Sequence, residues 1–177
     1  MEAHLVLKNI RKVFGSVVAN NDICILYGLC RPTSGQIFLN GNEVSISSSR
    51  EAIELGIGMV HQHFMLIPEL SVAENIILGM KSECEPFLDI KAACERIRAL
   101  SEAYGLDVTP DAIIKDLAVG SQQRVEILKA LYRGAELLIL DEPTSVLTPQ
   151  EARDLGKVIT MLSSQGKTVI FITHKLD

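Results

Sequence analysis

Two short, wholly apolar runs, residues 137–140 and 169–172, constrain the fold of this chain most strongly. Between them, apolar side chains recur every three or four residues, which predicts an amphipathic helix. The recurring positions are Ala152, Leu155, Ile159 and Leu162. A strand, a helix and a second strand, with both strands apolar throughout, are typical of a parallel sheet covered on both faces. The fold class predicted for this part is therefore α/β.

The N-terminal part reads as a β portion with hairpin pairing. Alternating apolar residues at Leu5, Leu7 and Ile10 predict a strand. Residues 36–39 and 43–44 flank Asn40-Gly41, a pair that suits a tight antiparallel turn. A further apolar strand is predicted at 57–60. An antiparallel portion therefore precedes the parallel sheet.

Helices are predicted between the strand at 57–60 and the run at 137–140. Ser71 and Glu74 have the spacing of a capping box and precede an apolar stretch. Two apolar stripes at helical spacing follow, namely Ile90, Ala93, Ile97, Leu100 and Tyr104, then Val125, Leu128 and Leu131. This middle part is expected to be a helical subdomain.

Charge and composition exclude several classes of protein. The chain has 177 residues, enough for one domain, and carries 17 Lys and Arg against 22 Asp and Glu, a formal charge of −5. Because neutralising phosphates requires clustered cations, nucleic acid is not expected as a partner. No apolar run approaches the roughly 18 residues of a membrane-spanning helix. The four cysteines lack the spacing of a zinc site and are expected to be reduced thiols.

Adjacent carboxylates follow the first apolar run directly. Asp141 and Glu142 end that strand, and the carboxyl edge of a parallel sheet is where ligands bind. Asp141 could hold Mg²⁺ and Glu142 could orient and deprotonate a water that faces a phosphate. The alternative is that two acidic residues merely end a strand in a polar turn.

Further polar groups stand at the ends of neighbouring elements. Residues 117–124 open a helix, and Gly120 at its start predicts an anion site built from backbone N–H groups. Gln62 follows the strand at 57–60, and Thr173-His174 follow the last apolar run. Together with Asp141 they favour the functional interpretation.

These segments together resemble the motifs of the ATP-binding subunits of ABC transporters. Asp141-Glu142 resemble the Walker B motif, residues 117–124 the signature motif and Gln62 the Q-loop. Residues 145–148 resemble the D-loop, His174 the switch histidine, and Phe14 the adenine-stacking aromatic. Residues 61–66 and 147–151 are most similar to importers of nucleosides and simple sugars.

The resemblance implies a fold, ligands and partners. The fold would be the P-loop NTPase-like ABC ATPase core, with an antiparallel β portion and a helical subdomain, here incomplete. ATP and Mg²⁺ would be bound between two such domains. The protein itself would be peripheral at the cytoplasmic side of the cell membrane. An integral membrane permease subunit would contact residues 62–115.

Residue roles are implied by the same resemblance. Glu142 would be the general base, Asp141 and Gln62 would be Mg²⁺ ligands, and His174 would contact the γ-phosphate. The second ABC ATPase domain's nucleotide would face Ala118, Gly120 and Gln122. The chain would divide into a β-rich part (1–60), the Q-loop and helical subdomain (about 62–115) and a part with the remaining motifs (116–177).

The phosphate-binding loop G-x-x-x-x-G-K-[ST], the Walker A motif, is missing. The family pattern places it between residues 22–23 and 27–29, where the chain looks as though about two dozen residues were deleted. Residues 166–168 read Gly-Lys-Thr but lead into a strand, so they are interpreted as a turn after a helix. Ala118 stands where the family usually has serine, and the chain ends three residues after His174.

Two functional hypotheses follow. The chain is an ATP-hydrolysing subunit of an ABC importer, impaired by the missing loop, or a non-hydrolysing remnant that only docks or donates its signature motif. A DNA-repair ATPase is disfavoured by the acidic balance. Loss of the strand of the missing loop is expected to expose the apolar strand 169–172, unless residues 23–26 fill the gap, and so to cause marginal stability or association.

Overall fold

The computed structural model describes residues 4–11, 13–14, 17–18, 22–80 and 89–173. Side chains are described for residues 4–11, 24–80 and 89–173. The chain divides into two compact units, residues 1–58 and 59–177. The three-part division expected from the sequence stays a prediction.

The first unit contains an antiparallel sheet of order β1-β4-β5. Its strands are β1 (Leu5–Arg11), β4 (Ser34–Leu39) and β5 (Asn42–Val44). Asn40 and Gly41 join β4 to β5 with φ values of 50° and 78°, the left-handed conformation that a two-residue hairpin turn requires. The predicted hairpin is confirmed.

The rest of the first unit is a two-stranded ribbon and two short helices. Strands β2 (Val13–Phe14) and β3 (Val17–Val18) pair with each other, and the helices are α1 (Asp22–Leu26) and α2 (Ser49–Glu54). Ile25 and Leu26 in α1 are buried. The apolar run 23–26 therefore forms a helix and adds no strand that could replace the missing one.

The second unit contains the longer helices. They are α3 (Val72–Ile77), α4 (Ile90–Ala103), α5 (Val119–Tyr132) and α6 (Pro149–Ser164), with a 3₁₀ turn at Ile114–Asp116. The predicted capping box at Ser71 and Glu74 is present, and Thr148 and Glu151 form a second one at the start of α6. None of the helices in the described ranges is long and apolar enough to cross a bilayer.

A sheet of order β6-β7-β8 supports these helices. Its strands are β6 (Ile57–Val60), β7 (Leu137–Asp141) and β8 (Thr168–Ile172). Strands β7 and β8 are parallel, with Ile139 opposite Ile170. Residues 137–140 are completely buried, which explains why this strand is apolar throughout. The predicted parallel α/β architecture is confirmed.

Strand β8 ends this sheet in the described part of the chain. Its residues are half-buried except Phe171, which is 42% exposed. This agrees with the apolar edge expected at 169–172, whereas marginal stability and association remain predictions.

Candidate functional site

The carboxyl edge of the parallel strands carries the two acidic residues that the sequence singled out. Asp141 is the last residue of β7, opposite Ile172 of β8, and the backbone N–H of Glu142 donates to the Ile172 carbonyl at 3.0 Å. Thr173 follows Ile172 directly. The structure thus brings Asp141 and Glu142 to the sheet edge where ligands of such folds bind.

Glu142 forms a tight turn after the strand. Its φ is 48°, a left-handed conformation that costs a non-glycine residue about 1–3 kcal/mol. Its carbonyl accepts from the backbone N–H of Ser145 at 3.1 Å and from the Ser145 hydroxyl at 2.8 Å. These bonds stabilise the turn and fix the backbone that carries the two half-buried carboxylates.

The start of α5 differs from the expected free anion site. Ala118 is the N-cap residue and provides no capping side chain. The N–H of Gly120 donates to Oε1 of Glu151 at 3.2 Å, so this donor already has a carboxylate partner within the chain. Gln122 donates its Nε2 to the carbonyl of Leu117 at 3.0 Å. The expectation that Gly120 and Gln122 face a partner's nucleotide remains a prediction.

Gln62 is exposed and lies two residues beyond β6, the neighbour of β7 in the sheet. The loop that follows it is held by α5. Glu126, which is 8% exposed, accepts from the backbone N–H of Met65 at 2.7 Å, and Nζ of Lys129 donates to the Met65 carbonyl at 3.2 Å. Both backbone polar groups of one loop residue are therefore bound by side chains of the helix that begins at the signature-like segment.

Asn75 of α3 holds the same loop two residues further on. Its Oδ1 accepts from the N–H of Ile67 at 2.7 Å, and its Nδ2 donates to the carbonyls of Ile67 at 3.1 Å and Ser71 at 3.0 Å. Neither Asn75 nor Glu126 was predicted from the sequence as part of the site. The signal that could have found them is a polar residue at a core position of an otherwise apolar helix stripe.

Two candidate site residues cannot be placed. His174 lies outside the described residues, and Phe14 belongs to β2 with its side chain outside the described part. Their assigned roles stay predictions.

The glycine nearest to the missing loop does not form a phosphate cradle. Gly28, just after α1, has a φ of 70°, and a Cβ there would lie 2.4 Å from the carbonyl carbon of Ser48. The space beside this glycine is therefore filled by the chain's own backbone. A phosphate requires a hollow lined by N–H groups, so this turn does not fit a triphosphate.

The Gly-Lys-Thr sequence at 166–168 is the turn that the sequence predicted. Gly166 follows the end of α6 with a φ of 83°, and Thr168 begins β8. Lys167 forms an ion pair with Glu136, with Nζ 2.7 Å from Oε1. The interpretation of residues 166–168 as a turn after a helix, and not as a phosphate loop, is confirmed.

Comparison with known proteins supports the same family. The profile of the ABC transporter family matches residues 23–145. The nucleoside import ATP-binding protein NupA of Lactococcus lactis is 54% identical over 153 residues, which cover 86% of this chain and 30% of NupA. The guanosine import ATP-binding protein NupO of Bacillus subtilis is 44% identical over 194 residues, covering 96% of this chain and 38% of NupO. The chain thus spans less than half the length of these relatives.

The alignment with NupO bears on the segment that looks deleted between residues 22–23 and 27–29. It extends over 194 residues, more than the 177 of the whole chain, so part of NupO has no counterpart here.

Solved structures share the fold. The ADP conformation of MJ1267, an ATP-binding cassette of an ABC transporter, is 20% identical with a TM-score of 0.82, covering 100% of this chain and 83% of that one. The cbiO1 protein of Clostridium perfringens, part of the cbiONQ transporter complex, is 22% identical with a TM-score of 0.78, covering 98% and 79%. The architecture described above is therefore that of ABC ATPase domains.

Proposed function

Because this chain belongs to the ABC transporter family, we propose that it is part of the ATP-binding subunit of an importer of nucleosides or simple sugars. The names of its relatives, a nucleoside and a guanosine import protein, support this class of transported solute. The chain spans only 30% of NupA and 38% of NupO. The activity of a whole ATP-binding subunit is therefore proposed for it and does not follow from the similarity alone.

The observation that carries the proposal is the pair of carboxylates at the end of β7, beside the parallel strand β8. Asp141, together with Gln62, would hold Mg²⁺, and Glu142 would act as general base toward a water. His174 would contact the γ-phosphate and Phe14 would stack on the adenine. Bound Mg²⁺ would supply charge neutralisation for the phosphates.

The chain alone is proposed to bind ATP weakly. It lacks G-x-x-x-x-G-K-[ST], and neither Gly28 nor Gly166 occupies a turn that fits a phosphate. Losing charge-assisted contacts to a triphosphate costs several kcal/mol, and every 1.4 kcal/mol is about a factor of ten in affinity. We therefore assign no hydrolytic step to the isolated chain.

The second candidate function is that of a partner that donates its signature segment to another ATPase domain. The helix that starts at Val119 favours it, since the signature-like segment needs no phosphate loop of its own. The permease would contact residues 62–115, and the complex would be peripheral at the cytoplasmic side of the membrane.

Equilibrium binding of Mg²⁺-ATP to the full chain, followed by calorimetry, tests the proposal. We expect a dissociation constant near the millimolar range, weakened further in the Asp141→Asn variant. Asp116→Asn, an exposed acidic residue in the 3₁₀ turn, is the matched control and should leave binding unchanged. Micromolar binding by the unaltered chain would overturn the claim that the chain lacks the part of the pocket that binds the triphosphate.

A further inference from the structure

The start of α5 is joined to the segment that follows β7 by two side chains. Gln123, which is 2% exposed, donates its Nε2 to the carbonyl of Pro143 at 2.8 Å. Glu151, at the start of α6, accepts from the N–H of Gly120 at 3.2 Å. One bond therefore lies near each end of the segment 142–151.

The hydrogen bond from Gln123 is made to the residue that follows Glu142 in the chain, Pro143. Pro143 is buried, so its carbonyl depends on the glutamine amide for a donor. Leaving such a buried group without a partner destabilises the folded state. Gln123 therefore fixes the peptide that follows the strained, left-handed Glu142.

The Glu151 carboxylate serves two elements at once. Its Oε2 accepts from the N–H of Thr148 at 2.9 Å and from the Thr148 hydroxyl at 2.7 Å, which caps α6. Its Oε1 contacts Gly120 of α5. The Thr148 N–H, followed by its hydroxyl and with smaller help from Gly120 and Arg124, holds the pKa of Glu151 below its ordinary value.

A comparison within the chain shows that the contact to α5 is additional to capping. Glu74 forms the same kind of box, with its Oε2 accepting from the N–H and the hydroxyl of Ser71 at 2.7 Å each. Those bonds stay within one helix start. At Gly120, by contrast, a Cβ would lie only 2.8 Å from Oε1 of Glu151, so glycine permits this close approach.

We propose that Glu151 and Gln123 are positioning residues that hold the start of α5 and the segment 142–148 together as one unit. This rests on the proposed function, which assigns catalytic and partner-facing roles to Glu142 and to residues 117–122. The carboxylate turn and the signature-like segment then move together when two ATPase domains close.

Amide titration tests the Glu151 contact. In the ¹⁵N-labelled full chain, the amide resonances of Gly120 and Thr148 should shift with one common midpoint below about pH 4.3, the ordinary glutamate pKa. Glu151→Gln should abolish that titration, and Glu74→Gln, the matched control, should leave it unchanged. A Gly120 amide that does not titrate, or that still titrates in Glu151→Gln, overturns the proposal.

Hydrogen exchange tests Gln123. In Gln123→Leu the amide of Ser145, which donates to the Glu142 carbonyl, should exchange at least about tenfold faster, which corresponds to about 1.4 kcal/mol. Gln165→Leu is the matched control, since Gln165 donates to the carbonyl of Ala103 at 2.7 Å at the other end of α6. Unchanged exchange at Ser145 in Gln123→Leu contradicts the proposed role.

A functional readout separates positioning from structural stabilisation. The chain is mixed with an ABC ATPase domain that keeps its phosphate loop but has a disabled signature motif, and ATP hydrolysis is measured. Glu151→Gln should lower kcat at least about tenfold with little change in KM, whereas Glu74→Gln should behave like the unaltered chain. Equal rates for Glu151→Gln and the unaltered chain overturn the positioning role.

The same mixture distinguishes the two proposals. If the unaltered chain gives no hydrolysis, the signature-donating function is refuted, and the amide titration alone then decides the role of Glu151.

Discussion

Replacing Asn75 by alanine should loosen the loop that carries Gln62. Asn75 is 1% exposed and makes three hydrogen bonds, two to Ile67 and one to Ser71. Alanine removes all three bonds at once. The N–H of Ile67 is then left to find water, whereas the carbonyls of Ile67 and Ser71 each keep one backbone donor, at 3.2 and 3.0 Å. The loop 61–67 is then held mainly by the two side chains of α5 that bind Met65.

The expected cost follows from counting these bonds. Each contributes about 1 kcal/mol net, so their loss costs about 3 kcal/mol. Because Ile67 is 40% exposed, water can reach part of the freed backbone, and we expect a loss of about 2 kcal/mol. With a urea m-value of about 2 kcal/mol per molar, the midpoint should fall by about 1 M.

The assay combines urea unfolding with amide exchange of residues 61–70, since the chain has two compact units. Asn75→Asp keeps the acceptor for Ile67 but replaces both donations with a carboxylate oxygen, so it should destabilise at least as much as Asn75→Ala. Asn42→Ala, which removes one exposed bond to the Asn40 carbonyl at 3.3 Å, is the control and should cost under about 0.5 kcal/mol. An Asn75→Ala variant as stable as Asn42→Ala would refute this reasoning.

Two further predictions concern stability. Leu138→Ala, at a fully buried position of β7, should lower the free energy of unfolding in urea by about 2–5 kcal/mol. Met161→Ala, at a 43% exposed position, should lower it by under about 1 kcal/mol. Equal losses in the two variants would contradict the packing described. Stability should also fall as pH decreases below about 4.3, because carboxylates with lowered pKa values bind protons more tightly in the unfolded chain. The carboxylates concerned are Glu51, Glu74, Glu151 and Asp154. A urea midpoint that is the same at neutral pH and at about pH 3.5 would contradict this prediction.

The strands and helices of this fold were predictable because local chemistry and burial agree. The run 137–140 is apolar because it is completely buried between neighbouring strands and helices, and Asn40-Gly41 takes the left-handed conformation that this pair favours. The capping box at Ser71 follows from a hydroxyl and a carboxylate three residues apart. At these places one short pattern determines the structure.

Other contacts were not predictable, since they join residues far apart in the chain. The bonds from Gly120 to Glu151 and from Met65 to Glu126 connect positions 31 and 61 residues apart. Periodicity cannot reveal which carboxylate reaches which N–H across two helices. For this reason the sequence suggested an open anion site at Gly120, whereas the structure has an internal carboxylate there.

Residues 23–26 show a competition between local and tertiary preferences. Their apolar, β-branched composition left open a strand that fills the sheet, but the segment forms the short helix α1 with Ile25 and Leu26 buried. Burial of two large side chains is satisfied by either conformation, so composition alone does not decide between them.

The most direct test of the account compares Mg²⁺-ATP affinity with and without a restored phosphate loop. A strand, a G-x-x-x-x-G-K-[ST] loop and its helix, taken from a member of the family, would be inserted after Asn21. If Asp141 and Glu142 retain the magnesium-and-water half of a nucleotide pocket, the insertion should tighten binding by at least about a hundredfold, or about 2.7 kcal/mol, and Asp141→Asn should reverse much of that gain. Equal affinity of the two proteins for Mg²⁺-ATP would contradict the account.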